Sequence, residues 1–214
     1  MKKRAFTMAE VLITIGVIGT ICAISLPALN TAIFNAQRTA GVKTTFSKLT
    51  EAWDMTVLDL EYAPKCAYIN DTAGTFQDCE DFGKKIEQQL VIKQTCNGNG
   101  ANQGCIAKYS EEYDRIAPSE FTAQKMNTKN YILVLNDGVI IIGSSAEDFL
   151  NPKKFAIDIN GNKGPNRWGY DLFPVQSKFG KDGKKIYIVG IDIAFDKELD
   201  KDAINVSEIL ANKK

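Results

Sequence analysis

The sequence contains no histidine among its 214 residues. That absence removes the imidazole general base, the Ser-His-Asp and Cys-His arrangements of nucleophilic catalysis, and the commonest protein ligand of catalytic zinc. Hydrolases that use only carboxylates would remain, but no pair of Asp or Glu residues stands out from a generally acidic sequence. We therefore expect a protein that is not an enzyme.

The sequence also lacks an excess of either charge, with 26 basic and 26 acidic residues. Proteins that bind nucleic acid through its phosphates carry a basic surface, so this balance argues against nucleic acid as a direct partner. Internal repeats, a long Pro/Ser linker and a second long apolar run are absent as well. The chain is long enough for one soluble domain with its own core after its single apolar segment.

That single apolar segment covers residues 6–29, and Glu10 is its only charged residue. A helix of this length spans about 30 Å, the thickness of the hydrocarbon core of a bilayer. Lys2, Lys3 and Arg4 precede it, which predicts a cytoplasmic N-terminus and a C-terminal remainder across the cytoplasmic membrane. An ordinary secretory signal has a shorter apolar region, of about 7–15 residues. The sequence therefore predicts a single-pass membrane protein, N-in and C-out.

A plain anchor leaves Glu10 unexplained, because an ionisable group inside a membrane segment is costly. The string from Ala5 to Glu10, behind its short basic leader, resembles the N-terminus of type IV prepilins. It has a small residue, then Phe, then Thr, and Glu as the fifth residue after the cleavage point. Gly19 and Pro27 stand where pilin-like helices carry a glycine and a proline. The family usually has Gly before the cleavage point, where this chain has Ala5, which is also small.

The resemblance implies that prepilin peptidase removes a leader of residues 1–5 and that its methyltransferase activity methylates the new amine of Phe6. Cleavage would leave 23 basic against 26 acidic side chains. It further implies assembly with other pilin or pseudopilin subunits on an inner-membrane platform, with Glu10 neutralising the Phe6 amine of a neighbouring subunit. The alternative is that Glu10 lies near the membrane interface and reaches water.

Residues 30–62 carry apolar side chains at spacings of three and four, which predicts an amphipathic helix that packs on a sheet. The resemblance implies one helix that continues from the membrane segment into a globular head. The alternative is a linker and a separate helix, with the break at Pro27 or Gly41. The predicted apolar stripe consists of Val42, Phe46, Leu49, Trp53, Val57 and Leu60, and Pro64 ends the helix.

The predicted extracytoplasmic domain covers residues 63–214 and combines helices with an antiparallel sheet, an α+β class. Its clearest signal is a hairpin, in which two β-branched runs flank a turn that contains Asp137-Gly138. The predicted elements are a helix over about 81–93, strands over 131–135, 139–142, 154–158 and 185–192, and a closing helix over 203–212.

Apart from Cys22 in the membrane segment, the cysteines are Cys66, Cys79, Cys96 and Cys105. An even number outside the cytoplasm predicts two disulfides. Three pairings exist, and proximity in sequence favours Cys66–Cys79 with Cys96–Cys105. A zinc site is the alternative, but the C-x-x-C spacing of zinc ribbons is absent.

Residues 158–171 carry many side-chain oxygens among glycines, a composition typical of calcium loops because a hard cation needs several oxygens from a tightly curved chain. The segment also resembles the C-terminal loop of secretion-system pseudopilins, some of which bind calcium. Asp158, Asn160, Asn162 and Asp171 are the candidate ligands. The spacing is not that of an EF-hand. The alternative is a turn-rich loop in which Asn stabilises turns without metal.

Together these features predict a structural subunit of a type IV pilus-like or type II secretion pseudopilus filament. The alternative is a permanently anchored extracytoplasmic protein that binds a ligand. The sequence leaves open a pilus, a secretion pseudopilus or a competence filament for DNA uptake, and a major or a minor subunit.

Overall fold

The computed structural model describes residues 7–61, 76–143, 154–179 and 186–211. The chain divides into two compact units, Met1–Ala40 and Gly41–Lys214, which are described separately below. One helix, α1 (Met8–Leu60), contributes residues to both units and runs through Pro27 without interruption. The prediction of one long helix is confirmed, and neither Pro27 nor Gly41 marks a break.

The second unit contains a six-stranded antiparallel sheet in which each strand pairs with the next along the chain. The predicted hairpin is confirmed, because β2 and β3 pair with Leu133 opposite Ile141. The strand predicted over 154–158 is also confirmed. The strands are β1 (Ile92–Asn97), β2 (Tyr131–Leu135), β3 (Ile140–Gly143), β4 (Lys154–Asp158), β5 (Leu172–Phe179) and β6 (Ile186–Gly190).

Several elements differ from the prediction. The helix predicted over 81–93 is α2 (Phe76–Gln89), and the residues after it form β1. The β-branched residues of β1 extend the chain along β2, and this pairing outweighs the helical spacing of Leu90. The strand β5 was not predicted. The closing helix α4 is Val206–Ala211, shorter than predicted.

One face of the sheet packs on the second half of α1. Val42, Phe46, Leu49 and Trp53 are buried there, while Val57 and Leu60 are partly buried against the same cluster. Trp53 stacks on Phe155 of β4 with 5.6 Å between ring centroids. The predicted apolar stripe is therefore the contact surface of α1 on the sheet, and each large side chain that it buries contributes about 1.5–3 kcal/mol.

The other face of the sheet is covered by the chain between β1 and β2. This connection contains two 3₁₀ helices (Glu111–Ile116 and Ser119–Phe121) and α3 (Ala123–Thr128). Phe121, Met126 and Trp168 pack there against Ile132 and Ile142. With cores on both faces, the buried strands β2 and β3 are apolar at almost every position.

Candidate functional site

The first half of α1 exposes its large apolar side chains. Leu12 is 67% exposed and Ile24 is 79% exposed. Within the described residues, α1 is the one helix long and apolar enough to cross a membrane by length and composition. An apolar surface of this extent is typical of contact with lipid or with other helices.

The hydroxyl groups of this segment are satisfied inside the helix. Thr14 donates to the carbonyl of Val11 over 2.9 Å, and Ser25 donates to the carbonyl of Ile21 over 2.8 Å. A hydroxyl in hydrocarbon has no water to bond, so internal bonding of this kind suits a helix in a membrane.

Glu10 lies in the first turn of α1 and closes a capping box with Thr7. Its Oε2 accepts from the backbone N–H and from the hydroxyl of Thr7, each over 2.8 Å, and the Glu10 N–H donates to Thr7 Oγ1 over 3.3 Å. This role was not predicted, although Thr-x-x-Glu before an apolar run is the signature of a capping box. The processing residues Ala5 and Phe6 lie outside the described residues.

The loop between β4 and β5 (residues 158–171) begins with a buried carboxylate. Asp158 is 0% exposed. Its Oδ2 accepts from the Tyr109 hydroxyl over 2.9 Å. Its Oδ1 accepts from the N–H groups of Asn160 and Gly161, over 3.2 and 2.8 Å. Asp158 thus ends its strand and caps the first turn of the loop.

The loop ends with a second buried carboxylate, Asp171, which is 1% exposed. Its Oδ2 accepts from the N–H of Asn166 over 2.8 Å and its Oδ1 from the N–H of Arg167 over 2.7 Å. The Asn160 side chain also hydrogen-bonds this carboxylate. The two carboxylates therefore hold opposite ends of one loop, and Asn160 connects them.

The loop concentrates negative charge away from water. Burial, together with the charge of Asp171, raises the pKa of Asp158 well above its usual range. Burial also raises the pKa of Asp171. Within the described residues, no Lys or Arg forms an ion pair with either carboxylate. Two like charges buried without a cation are costly, so this arrangement favours a bound cation or a retained proton.

Two amide oxygens of the same loop add to this donor set. Asn160 Oδ1 and Asn166 Oδ1 are buried and accept no hydrogen bond from the described residues. Of the four predicted ligands, Asp158, Asn160 and Asp171 come together, whereas Asn162 is exposed. Asn166 was not predicted. The described residues contain no group of three or more His, Cys, Asp and Glu side chains arranged to hold a metal.

Two contacts from the connection between β1 and β2 support the loop. The Tyr109 backbone is fixed by Asn127, whose Oδ1 accepts from the Tyr109 N–H over 2.9 Å and whose Nδ2 donates to the Tyr109 carbonyl over 3.0 Å. The guanidinium of Arg167 lies over the rings of Tyr113 and Tyr170, 4.6 Å from each centroid. This connection therefore contacts the loop near both of its ends, at Asp158 and at Arg167.

The disulfide Cys96–Cys105 is present, as predicted, and both cysteines are buried. The residues that it encloses are also tied to α3, because the Asn99 N–H donates to the Thr128 carbonyl over 2.9 Å. Cys22 is free and exposed. The predicted pair Cys66–Cys79 is not tested, because Cys66 and the Cys79 side chain lie outside the described residues.

A groove of about 560 Å³ lies between the second half of α1, the end of α2 and the β2–β3 turn. Ala52, Met55, Leu90 and Leu135 line it. An ion pair between Lys48 and Asp137 lies at its rim. Its volume falls within the range of small-molecule pockets.

Comparison of the chain with protein-family models, with curated proteins and with solved structures finds no match.

Proposed function

We propose that the protein is a subunit of a type IV pilus-like or type II secretion pseudopilus filament. In this proposal, a prepilin peptidase cuts between Ala5 and Phe6 and methylates the Phe6 amine. The mature subunit stands N-in and C-out in the cytoplasmic membrane, from which an assembly platform moves it into the filament. The apolar half of α1 packs there against the same segment of other subunits, and the domain from Gly41 onward forms the extracytoplasmic head.

The observation that carries the proposal is the exposed apolar surface of α1 with one carboxylate, Glu10, at its first turn. In a plain anchor the carboxylate would serve only the cap with Thr7, whereas in a filament its charge would also pair with a cation of a neighbouring subunit. The bonds from Thr7 use Oε2 of Glu10 and leave its charge without a cation among the described residues. A neighbour's Phe6 amine would supply that cation.

Sequencing the N-terminus of the protein from its native membrane tests the proposal. A mature chain that begins with methylated Phe6 supports it. Replacing Ala5 with Leu should leave the full-length precursor in the membrane, because the bulkier side chain does not fit a site that accepts small residues. Normal maturation of Ala5→Leu, or a native chain that retains Met1, would contradict processing by a prepilin peptidase.

A permanently anchored binding protein is the alternative, and the groove beside Met55 is the observation that favours it. Under this alternative the leader is never removed and the groove holds a small apolar ligand. N-terminal sequencing separates the two functions, because only the filament subunit loses residues 1–5.

We further propose that the loop 158–171 binds calcium. Asp158 and Asp171 supply two buried carboxylates, and Asn160 and Asn166 supply two buried amide oxygens that accept no hydrogen bond from the described residues. This set of oxygens suits a hard cation. A calcium ion would neutralise the buried pair of charges and hold the two ends of the loop together. Its role would be structural stabilisation of the head. The calcium-dependent melting experiment argued in the Discussion tests it.

A further inference from the structure

The last described residues, 191–211, form what we call the C-terminal strap, which follows β6 and ends in α4. Its two ends are fixed to the sheet. At the start, the Ile191 N–H donates to the carbonyl of Pro174 over 2.9 Å. At the other end, Val206 packs directly on Gly190, so closely that a side chain on Gly190 would overlap it.

The strap is also closed on itself by Asn205. The Asn205 Oδ1 accepts from the Ile193 N–H over 2.8 Å, and its Nδ2 donates to the Ile193 carbonyl over 3.1 Å. Ser207 adds a bond of 2.6 Å from its hydroxyl to Asp192. These contacts join residues 192–193 to residues 205–207. The segment between them, residues 194–204, is therefore a closed arch of the strap rather than a free terminus.

The arch rests on the loop 158–171 at Gly169. The Ile204 N–H donates to the Gly169 carbonyl over 3.1 Å. Gly169 has a φ of +78°, and a Cβ there would lie 2.5 Å from the Phe195 ring and 2.9 Å from the Ala203 methyl group. Only glycine lets the strap approach the loop backbone this closely.

Gly169 belongs to the turn that places Asp171. The Arg167 carbonyl accepts from the N–H groups of Tyr170, Asp171 and Leu172, and the Gly169 N–H donates to the Leu172 carbonyl over 3.0 Å. The Asp171 carboxylate closes the same turn through the Arg167 N–H. If the strap undocks from Gly169, the turn that orients Asp171 therefore loses its contact with Ile204.

A separate contact joins the arch to the connection between β1 and β2. Arg115 donates to Asp200 Oδ1 over 2.6 Å, and Asp200 Oδ2 accepts from the Asp196 N–H over 3.1 Å. Asp200 is buried although its neighbours in sequence are exposed. The strap thus joins the connection that contains Arg115 to the turn that contains Asp171.

We propose that the C-terminal strap is a clasp for the Asp171 half of the loop, so that undocking of the strap and opening of the loop are one cooperative event. The coupling itself follows from this fold. Its use, to adjust how tightly the loop holds a cation, rests on the calcium function proposed above. By linkage, if docking of the strap raises the affinity of the loop for a ligand, that ligand must favour the docked strap by the same factor.

Hydrogen exchange followed by mass spectrometry, on the full-length protein in detergent micelles, tests the clasp. Asn205→Ala removes the two bonds that close the arch and touches no residue of the loop. We expect about tenfold faster exchange in the strap and also in residues 164–172, with the β2–β3 hairpin unchanged. Faster exchange in the strap with an unchanged loop would overturn the proposal. If Asn205→Ala also opens the hairpin, the milder Ser207→Ala is read by the same criteria.

The reverse direction uses a matched pair of glycines in the loop. Gly169→Ala pushes on Phe195 and Ala203 and should accelerate exchange of the strap about tenfold or more. Gly164 lies in the same loop, and an added Cβ there would meet open space, so Gly164→Ala should leave the exchange of the strap unchanged. Equal effects of the two variants on the strap would overturn the clasp.

Hydrogen exchange measured with and without calcium separates a failure of the clasp from a failure of the proposed calcium function. With calcium, exchange of the loop and of the strap in the parent protein should slow by about the same factor, because the ion binds only the closed state. If calcium changes no peptide of the parent while Asn205→Ala still opens the loop, the calcium function fails and the clasp stands. Calcium that slows the loop alone would overturn the clasp.

Discussion

Thr7 and Glu10 cap each other at the start of α1, with both the N–H and the hydroxyl of Thr7 donating to Glu10 Oε2 over 2.8 Å. Under the filament proposal, Glu10 therefore has two separable roles. Capping needs only an acceptor oxygen, and a capping box accepts Gln in place of Glu. Pairing with the amine of a neighbouring subunit needs the negative charge, because a charge-assisted bond is about twice as strong as a neutral one.

Glu10→Gln and Thr7→Ala should separate these roles. We expect Glu10→Gln to insert and be processed normally but to lose about tenfold or more of its incorporation into filaments, since it keeps the cap and loses the charge. Thr7→Ala should cost about 1 kcal/mol of helix stability and be incorporated normally, since it keeps the charge. The measurement is the fraction of subunit in sheared filaments relative to membranes. Normal incorporation of Glu10→Gln would show that the filament does not use this charge.

Leu49 and Leu58 lie on opposite faces of the second half of α1 and form a matched pair. Leu49 is 0% exposed and Leu58 is 70% exposed. Leu49→Ala should lower the free energy of unfolding of the head by about 2–5 kcal/mol, because it leaves a cavity between α1 and the sheet. Leu58→Ala should change it by less than about 0.5 kcal/mol. Urea unfolding, followed by the fluorescence of the two buried tryptophans, Trp53 and Trp168, measures both. Similar losses would contradict the docking of the predicted stripe.

Hydrophobic spacing was sufficient to predict the elements that bury one continuous apolar pattern. The α1 stripe and the β2–β3 hairpin are examples, because their local pattern and their tertiary environment agree. The strand β5 has no such pattern. Pro174 lies within it, and residues of both its faces are buried between two cores, so neither alternation nor β-propensity marks it.

Amino-acid composition was sufficient to predict the two carboxylates at the ends of the loop 158–171, but not the distant residues that contact them. Asp158 and Asp171 stand out among glycines and asparagines. Tyr109 lies 49 residues before Asp158 and reaches it only because the connection between β1 and β2 folds back over the sheet. No local pattern encodes such a contact. The Thr7 cap, in contrast, was encoded within four residues and could have been predicted.

The disulfide should stabilise the head measurably. Replacing both cysteines, by Cys96→Ser with Cys105→Ser, should lower the free energy of unfolding by about 2–3 kcal/mol, the chain-entropy value for a loop with a sequence separation of 9 residues. Denaturant unfolding of the full-length protein in micelles measures the loss. Cys22→Ser is the control, because Cys22 is free and exposed and should leave the stability of the head unchanged. A double variant as stable as the parent would show that the hydrogen bonds to α3 suffice.

Gly161 should be the least replaceable glycine of the loop 158–171. Its φ is +65°, and a Cβ would overlap the carbonyl oxygen of Gly138 in the β2–β3 turn. Backbone cannot move aside as a side chain can, so Gly161→Ala should cost about 2 kcal/mol or more. Gly104→Ala separates backbone strain from steric overlap. Gly104 has a φ of +77°, but an added Cβ would meet open space, so the substitution should cost about 1 kcal/mol. Thermal melting compares them, and equal losses would contradict the close contact of the two turns.

Calcium should raise the melting temperature of the full-length protein in micelles if the loop 158–171 binds it. At a hundredfold excess over the dissociation constant the ion adds about 2.7 kcal/mol, which corresponds to about 5–10 °C for a domain of this size. Asp158→Asn should abolish the response. In chelator it should be no less stable than the parent, because it removes a buried charge that lacks a cation, and the Tyr109 hydroxyl can accept from its amide. Asn162→Ala is the control and should keep the full response, since Asn162 is exposed. A parent protein that melts at the same temperature in calcium and in chelator would reduce the loop to a turn held by its own carboxylates.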